Sequence, residues 1–346
     1  MMSRQADSAI GIYGAGVLVE HLQALQREVG GVRQARDIEY IHRMRVASRR
    51  LRSALELFCD CLPVKKYARW EAQVRAITRA LGAARDTDVQ IDLLEHFLSS
   101  LEDPALRPGI RRLLLRLGQR RAKLQTRVLT ALDAFEDNHT FVDMEAKLAP
   151  RAALKSGVYL FTPALFQRSF DAITSHLNAF MAYEAFIYQP EKIAELHAMR
   201  IAAKQLRYIL EAFAPLYEDE LKEAIQAMRN LQDLLGEIHD MDVWGTYLPE
   251  FIAAECQRTM KYLGHTRPMA RLEPGLLNFL QHQQKNRVIK YEEFLALWQE
   301  LKQQDLWQGL HNAIQVPFDI REARQTMAQL ATNEPAGNTS GSEPET

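Results

Sequence analysis

Apolar residues recur every three or four positions along most of the chain, the spacing that places them on one face of an α-helix. Leu113, Leu117, Leu124 and Val128 show this spacing clearly. Prolines stand between the periodic stretches, where a residue without an N–H is tolerated. The pattern predicts helices near 8–29, 37–60, 65–81, 88–99, 109–136, 163–186, 190–214, 218–235, 241–255 and 275–303.

The periodic stretches fall into two similar halves. Residues 42–58 resemble residues 197–213, and residues 81–89 resemble residues 235–243. An internal repeat of this kind predicts two pseudo-symmetric helical bundles produced by duplication, in an all-α fold. The predicted organisation is a first bundle at 1–140, a connecting segment at 141–162, a second bundle at 163–310, a C-terminal helix at 311–332 and a disordered acidic tail at 333–346.

Composition narrows the class of protein. The chain has 346 residues with 47% hydrophobic and 25% charged residues, which is ordinary for a soluble domain. No apolar stretch approaches the length of a membrane span, so no membrane partner is expected. Three cysteines are too few for a disulfide framework, and a reducing cytoplasm is the expected location. The net charge of −1 does not indicate a polyanion partner. Any argument for such a partner has to rest on where the positive charges lie.

Basic residues align on one face of each repeated helix. The members of each group lie within an arc of about 80° on a helical wheel, beside the apolar face. No acidic residue falls within either group; Glu56 and Glu211 come only after it. We name these groups the first stripe (His42, Arg45, Arg49, Arg52) and the second stripe (His197, Arg200, Lys204, Arg207).

A stripe of this kind is either a solvated helix surface or an anion-binding wall. Like charges on one ridge repel each other, and the arrangement occurs twice, which favours the second interpretation. Arg and Lys suit phosphate oxygens, Arg as a planar fork and Lys as a point charge. A further group, the 116–127 ridge, is either solvated surface or ligand contact, and consists of Arg116, Arg120, Lys123 and Arg127.

An Asp-x-Asp pair follows a glycine in each half. One interpretation is structural: Gly82 and Gly236 end a helix, and Asp86/Asp88 or Asp240/Asp242 cap the next one. The alternative is that these carboxylates orient the neighbouring basic side chains or bind a metal ion. The sequence favours the structural interpretation, because glycine and aspartate are common at helix ends.

The doubled His-x-x-Arg-x-x-x-(Arg/Lys)-x-x-Arg motif with a later Leu-Gly-x-x-(Arg/His)-Asp-x-Asp-Val resembles the CHAD family, the conserved histidine α-helical domain. The resemblance extends over roughly residues 8–305. It implies two helical bundles with a basic groove between them that binds inorganic polyphosphate, with the two stripes as opposite walls. It also implies a location at polyphosphate granules. The strand-rich triphosphate tunnel domain often fused to family members has no counterpart here, so a stand-alone form is expected.

We therefore expect a non-enzymatic polyphosphate-binding protein with no catalytic residue, cofactor or metal site. One alternative is a metal-dependent phosphohydrolase using the His239-Asp240 dipeptide, although Arg85 in the first half cannot ligate a metal. Another is a general anion or nucleic-acid binder, less favoured because the stripes contain no aromatic residue apart from Tyr208 near the end of the second.

Overall fold

The computed structural model describes residues 2–35, 37–157 and 161–315, and nearly all of these residues are helical. No β-strand occurs in the described ranges, and the all-α prediction is confirmed. The helices are α1 Met2–Arg27, α2 Val29–Gln34, α3 Ile38–Leu57, α4 Val64–Ser100, α5 Arg107–Asp137, α6 Thr140–Ala153, α7 Pro163–Met181, α8 Ile193–Phe213, α9 Lys222–Leu263, α10 Glu273–Gln303 and α11 Leu306–Gln315.

Two helices are longer than the sequence predicts. The stretches 65–81 and 88–99 form the single helix α4, and the stretches 218–235 and 241–255 form α9. Gly82 and Gly236 lie inside these helices, so the prediction that they end a helix is wrong. A glycine inside a helix costs only about 1 kcal/mol relative to alanine. Burial of the side chains on either side outweighs that cost.

The segment expected to connect the halves contains α6. Its residues Phe141, Met144 and Leu148 are buried in the core of the first half, so the chain packs here before it crosses over. The predicted C-terminal helix at 311–332 overlaps α11 at its start, and its residues from 316 onward lie outside the described residues. The predicted tail at 333–346 lies outside them as well.

Corresponding helices have corresponding neighbours in the two halves. In the first half α3 packs on α1 and α4, and α4 packs on α5. In the second half α8 packs on α7 and α9, and α9 packs on α10. Helix α1 serves both halves, because Ile12 and Tyr13 enter the second core while Leu18 and Leu22 enter the first. The repeated basic segments thus lie on α3 and α8, which touch each other.

A third hydrophobic core joins the two helical hairpins at their far ends. It is built from the end of α4 and the start of α5 on one side, and from the second part of α9 and the start of α10 on the other. Its buried members include Leu94, Leu113, Trp244, Leu248 and Phe279. The hairpins α4–α5 and α9–α10 are therefore linked at their far ends as well as through α1 and the α3–α8 contact.

None of the helices within the described residues combines the length and the apolar character needed to cross a membrane.

Candidate functional site

The first and second stripes lie close together where α3 and α8 meet, a region that we call the cleft. All eight of their side chains are half-buried on α3 and α8. The positive charges of Arg49, Arg45 and Arg52 on α3 lower the pKa of Lys204 on α8, as does Arg200 of its own helix. Arg200 and Arg207 of α8 in turn lower the pKa of Arg49. The basic side chains of the two helices therefore lie together in one place.

The protein's own carboxylates neutralise this cleft only in part. Arg45 Nη2 lies 3.2 Å from Asp86 Oδ1, and Arg52 Nε lies 3.6 Å from Glu71 Oε1. Arg207 Nε lies 3.8 Å from Glu211 Oε1. In the part of the chain that the structure describes, no carboxylate lies within ion-pair distance of the three central cations, Arg49, Arg200 and Lys204. The cleft therefore has an excess of positive charge at its centre.

Three buried ring or guanidinium nitrogens of the stripe residues have no hydrogen-bond partner among the described residues. They are Nε of Arg200, Nε of Arg207 and Nδ1 of His197. A buried donor without an acceptor costs about 1–3 kcal/mol. Oxyanions entering the cleft would supply acceptors to such groups, so the arrangement is suited to anion binding.

The ring of Tyr208 lies near one arginine of each stripe. Its ring lies 5.9 Å from the Arg49 guanidinium carbon and 5.3 Å from that of Arg207. The ring is only 7% exposed. Because guanidinium groups are attracted to an aromatic face, Tyr208 holds one arginine from each helix in place.

Burial and neighbouring cations keep the cleft histidines uncharged at neutral pH. Burial, then Arg200 and Lys204, lower the pKa of His197 below its usual value, and burial with Arg85 does the same for His42. The His197 ring also contacts the ring of His239 of α9, with ring centroids 4.1 Å apart and the planes tilted by 31°. Burial and His197 lower the pKa of His239 to about 4.

The Asp-x-Asp pairs have two different roles, and helix capping is neither of them. The first aspartate lies at the cleft. Asp86 binds Arg45. Arg200 lowers the pKa of Asp240, and the negative charge of Asp86 raises it. The second aspartate joins neighbouring helices. Asp88 Oδ1 accepts a 2.6 Å hydrogen bond from Arg121 Nε of α5, and Asp242 pairs with Arg287 of α10. The capping interpretation fails because all four residues lie inside α4 or α9.

Sequence reasoning missed Arg85 and Arg50 as parts of this site. Arg85 of α4 lies near His42, and its side chain is only 18% exposed. Arg50 Nη2 donates to Glu211 Oε2 at 2.8 Å and so ties α3 to α8. The Leu-Gly-x-x-(Arg/His)-Asp motif contained the signal for Arg85, but the predicted helix end at Gly82 placed that residue in a turn.

Clusters of three or more His, Cys, Asp or Glu side chains suited to a metal ion are not found among the described residues. His239 and Asp240, which suggested a phosphohydrolase, are successive residues of α9, and both lie near Arg200. The His239 ring also contacts the His197 ring.

Comparison with known proteins agrees with this architecture. The sequence matches the CHAD domain family over residues 16–249, which is well over half of the chain. The chain belongs to the CHAD family. Its fold is similar to the crystal structure of the CHAD domain from the plant Ricinus communis, with a TM-score of 0.63, 25% identity, and coverage of 85% of this chain and 92% of that chain.

A second fold similarity is to PptA from Streptomyces chartreusis, with a TM-score of 0.50, 16% identity, and coverage of 84% of this chain and 99% of that one. At this level of identity the likeness concerns the fold alone. No curated protein matches the sequence significantly.

The 116–127 ridge of this CHAD chain lies on α5. Arg120, Lys123 and Arg127 are exposed, whereas Arg116 Nε donates to Glu255 Oε1 of α9 at 2.8 Å. Glu255 follows Asp240 by roughly 22 Å along the axis of α9. The start of the ridge is therefore well separated along α9 from the cleft between the stripes.

Proposed function

We propose that this CHAD protein binds inorganic polyphosphate, without catalysis, in the cleft between the first and second stripes. The observation that carries the proposal is the convergence of cations from two helices around Lys204, with Arg49, Arg200 and Lys204 lacking ion-pair partners among the described residues. Like charges held this closely destabilise the free protein unless an anion offsets them. A polyphosphate chain supplies a line of anionic, non-bridging oxygens.

The length and chemistry of the stripes favour a linear phosphate polymer. Each stripe extends about 15 Å along its helix, which suits several successive phosphate units. Guanidinium groups bind phosphate oxygens through paired, charge-assisted hydrogen bonds. A nucleic acid would gain affinity from aromatic rings that stack on its bases. Tyr208 is buried beneath Arg49 and Arg207 and is not available for such stacking.

The test replaces the central cations of the cleft. The triple variant Arg49→Gln, Arg200→Gln, Lys204→Gln should lose affinity for tripolyphosphate and for long-chain polyphosphate on the order of 1,000-fold, because three charge-assisted contacts are removed. A matched control, Arg27→Gln, Lys65→Gln, Lys147→Gln, removes three exposed charges from α1, α4 and α6. Isothermal titration calorimetry measures both variants, and circular dichroism checks that they are folded.

Equal affinities of the cleft variant and the control would contradict the proposal. A competition experiment uses single-stranded RNA of matched charge at equal concentration over a range of salt. If the RNA displaces polyphosphate, the protein is a general anion binder and the proposed specificity for polyphosphate is wrong. Orthophosphate release from polyphosphate, lost on His239→Ala, would contradict the non-catalytic part. We expect no release with or without added magnesium.

A further inference from the structure

Helix α5 carries an unusual concentration of positive charge. No acidic residue occurs between Pro104 and Leu132, and Asp133 is the first one after this stretch. The basic residues of the same stretch are Arg107, Arg111, Arg112, Arg116, Arg120, Arg121, Lys123 and Arg127. Like charges spaced three and four residues apart destabilise a helix. Negative charges that neutralise them therefore have to come from other helices or from a ligand.

Neighbouring helices neutralise only part of this charge. Asp88 pairs with Arg121, on the α4 side of the helix. Glu255 of α9, only 2% exposed, meets three guanidinium groups at once. Its carboxylate oxygens lie 2.8 Å from Arg116 Nε, 2.5 Å from Arg258 Nη1 and 3.6 Å from Arg112 Nη1. One carboxylate therefore faces three cations, and the cluster keeps an excess of positive charge.

The rest of the 116–127 ridge continues from this cluster toward the end of α5. Arg120, Lys123 and Arg127 are exposed, and within the described ranges no carboxylate lies at ion-pair distance from them. From Arg116 to Arg127 the ridge extends roughly 16 Å along the helix. It is comparable in length to one stripe of the cleft.

The ridge exists in one half only. The equivalent ion pairs Asp88–Arg121 and Asp242–Arg287 align α5 with α10. In this alignment, the positions of α10 equivalent to the four ridge residues hold His282, Asn286, Ile289 and Glu293. The second half folds with the same helix packing and without these cations. The ridge is therefore not required by the fold that the two halves share.

We propose that the 116–127 ridge, with Arg112 and Arg258 at its start, is a second polyphosphate-binding surface that is used by chains long enough to extend beyond the cleft. The inference rests on the proposed function of the cleft. It commits to a phosphate polymer because α5 has no aromatic residue between Arg107 and Ala134, and so nothing on which a base could stack. The start of the ridge lies roughly 22 Å along α9 from Asp240, so a chain that contacts both the cleft and the Glu255 cluster has to be long.

The test compares a short probe with a long one. The variant Arg120→Gln, Lys123→Gln, Arg127→Gln leaves the Glu255 cluster and the cleft intact. Its affinity for long-chain polyphosphate should fall about 10-fold, and the slope of log affinity against log salt should decrease by about 2. Its affinity for tripolyphosphate should equal that of the unmodified protein. The control is again Arg27→Gln, Lys65→Gln, Lys147→Gln, which removes the same charge elsewhere.

Each outcome decides the inference. Long-chain affinity and salt slope equal to those of the control would overturn it while leaving the cleft proposal intact. An equal loss for tripolyphosphate would also overturn it, because the ridge would then belong to the cleft itself. RNA binding that depends on the ridge and exceeds polyphosphate binding would overturn the choice of ligand. Failure of the unmodified protein to bind either polyphosphate would instead contradict the proposed function.

Discussion

Lys204 lies half-buried among four guanidinium groups, and this surrounding determines how its charge responds to pH. Burial, together with Arg49, Arg200, Arg45 and Arg52, lowers the pKa of Lys204 from 10.5 to about 7. A bound polyanion would favour the charged form and return the pKa toward its usual value. Binding should therefore take up a proton at pH values between the free and bound pKa, and affinity should rise as pH falls through that window.

The expected result at about pH 8 is an uptake close to one proton per protein, with affinity changing up to tenfold per pH unit above the pKa of the free protein. Calorimetry in two buffers of different ionisation enthalpy measures the uptake. Lys204→Met should bind more weakly and abolish most of the uptake, while Lys65→Met should behave as the unmodified protein. Uptake that persists in Lys204→Met would assign the proton to another group.

Residue-level chemistry was only partly predictable from the sequence. The period of the basic residues predicted which faces of α3 and α8 carry the stripes, because that depends on helix geometry alone. From residue type alone, the histidines of the stripes are expected to titrate near their usual pKa of about 6.5. Burial, Arg200 and Lys204 lower the pKa of His197, so it titrates at lower pH. Burial is the largest of these causes, and it comes from packing against helices distant in the chain, which leaves no local signature.

At the scale of single helices, α4 presents two aspartates to two different environments, and their substitutions should have opposite consequences. Asp88 is 5% exposed and binds Arg121. Asp88→Ala should lower the free energy of unfolding by about 3 kcal/mol, because it leaves a mostly buried guanidinium without its partner. Polyphosphate affinity of the folded protein should not change. Urea denaturation and calorimetry measure the two quantities.

Asp86 is the matched comparison two residues away. Its side chain is 66% exposed, and its carboxylate binds Arg45 at the edge of the cleft. Asp86→Ala should change stability by less than about 0.5 kcal/mol, as is usual for an exposed pair. It should raise polyphosphate affinity several-fold, since it frees Arg45 and removes a negative charge. Weaker binding by Asp86→Ala would show that this carboxylate positions Arg45 for the ligand.

The continuous helices α4 and α9 were the main fold feature that the sequence did not predict. Gly82 with its following Asp-x-Asp has the composition of a helix end, and local preference alone supports that interpretation. The helix continues because Leu81, Ala84 and Asp88 are buried against neighbouring helices. Tertiary packing of this kind outweighs a local preference of about 1 kcal/mol.

At the scale of the whole molecule, the third core depends on a reciprocal contact between the starts of α5 and α10. A Cβ added at Gly109 would collide with the carbonyl oxygen of Leu272, and a Cβ added at Gly275 would collide with that of Leu106. The sequence shows each glycine only as part of a Pro-Gly pair at a helix start. That the two starts meet could not be predicted, because the contact joins segments far apart in the chain.

Gly109→Ala and Gly275→Ala should each lower the free energy of unfolding by about 1–3 kcal/mol, because the backbones must move apart to admit the new methyl group. Gly118→Ala on the same helix α5, where a Cβ meets nothing within 4 Å, should instead raise it by about 0.5–1 kcal/mol. The double variant Gly109→Ala, Gly275→Ala should cost less than the two single changes together, since one displacement relieves both collisions. Thermal and urea denaturation measure all four proteins. Stabilisation by Gly109→Ala equal to that by Gly118→Ala would mean that the two hairpins do not meet at this point.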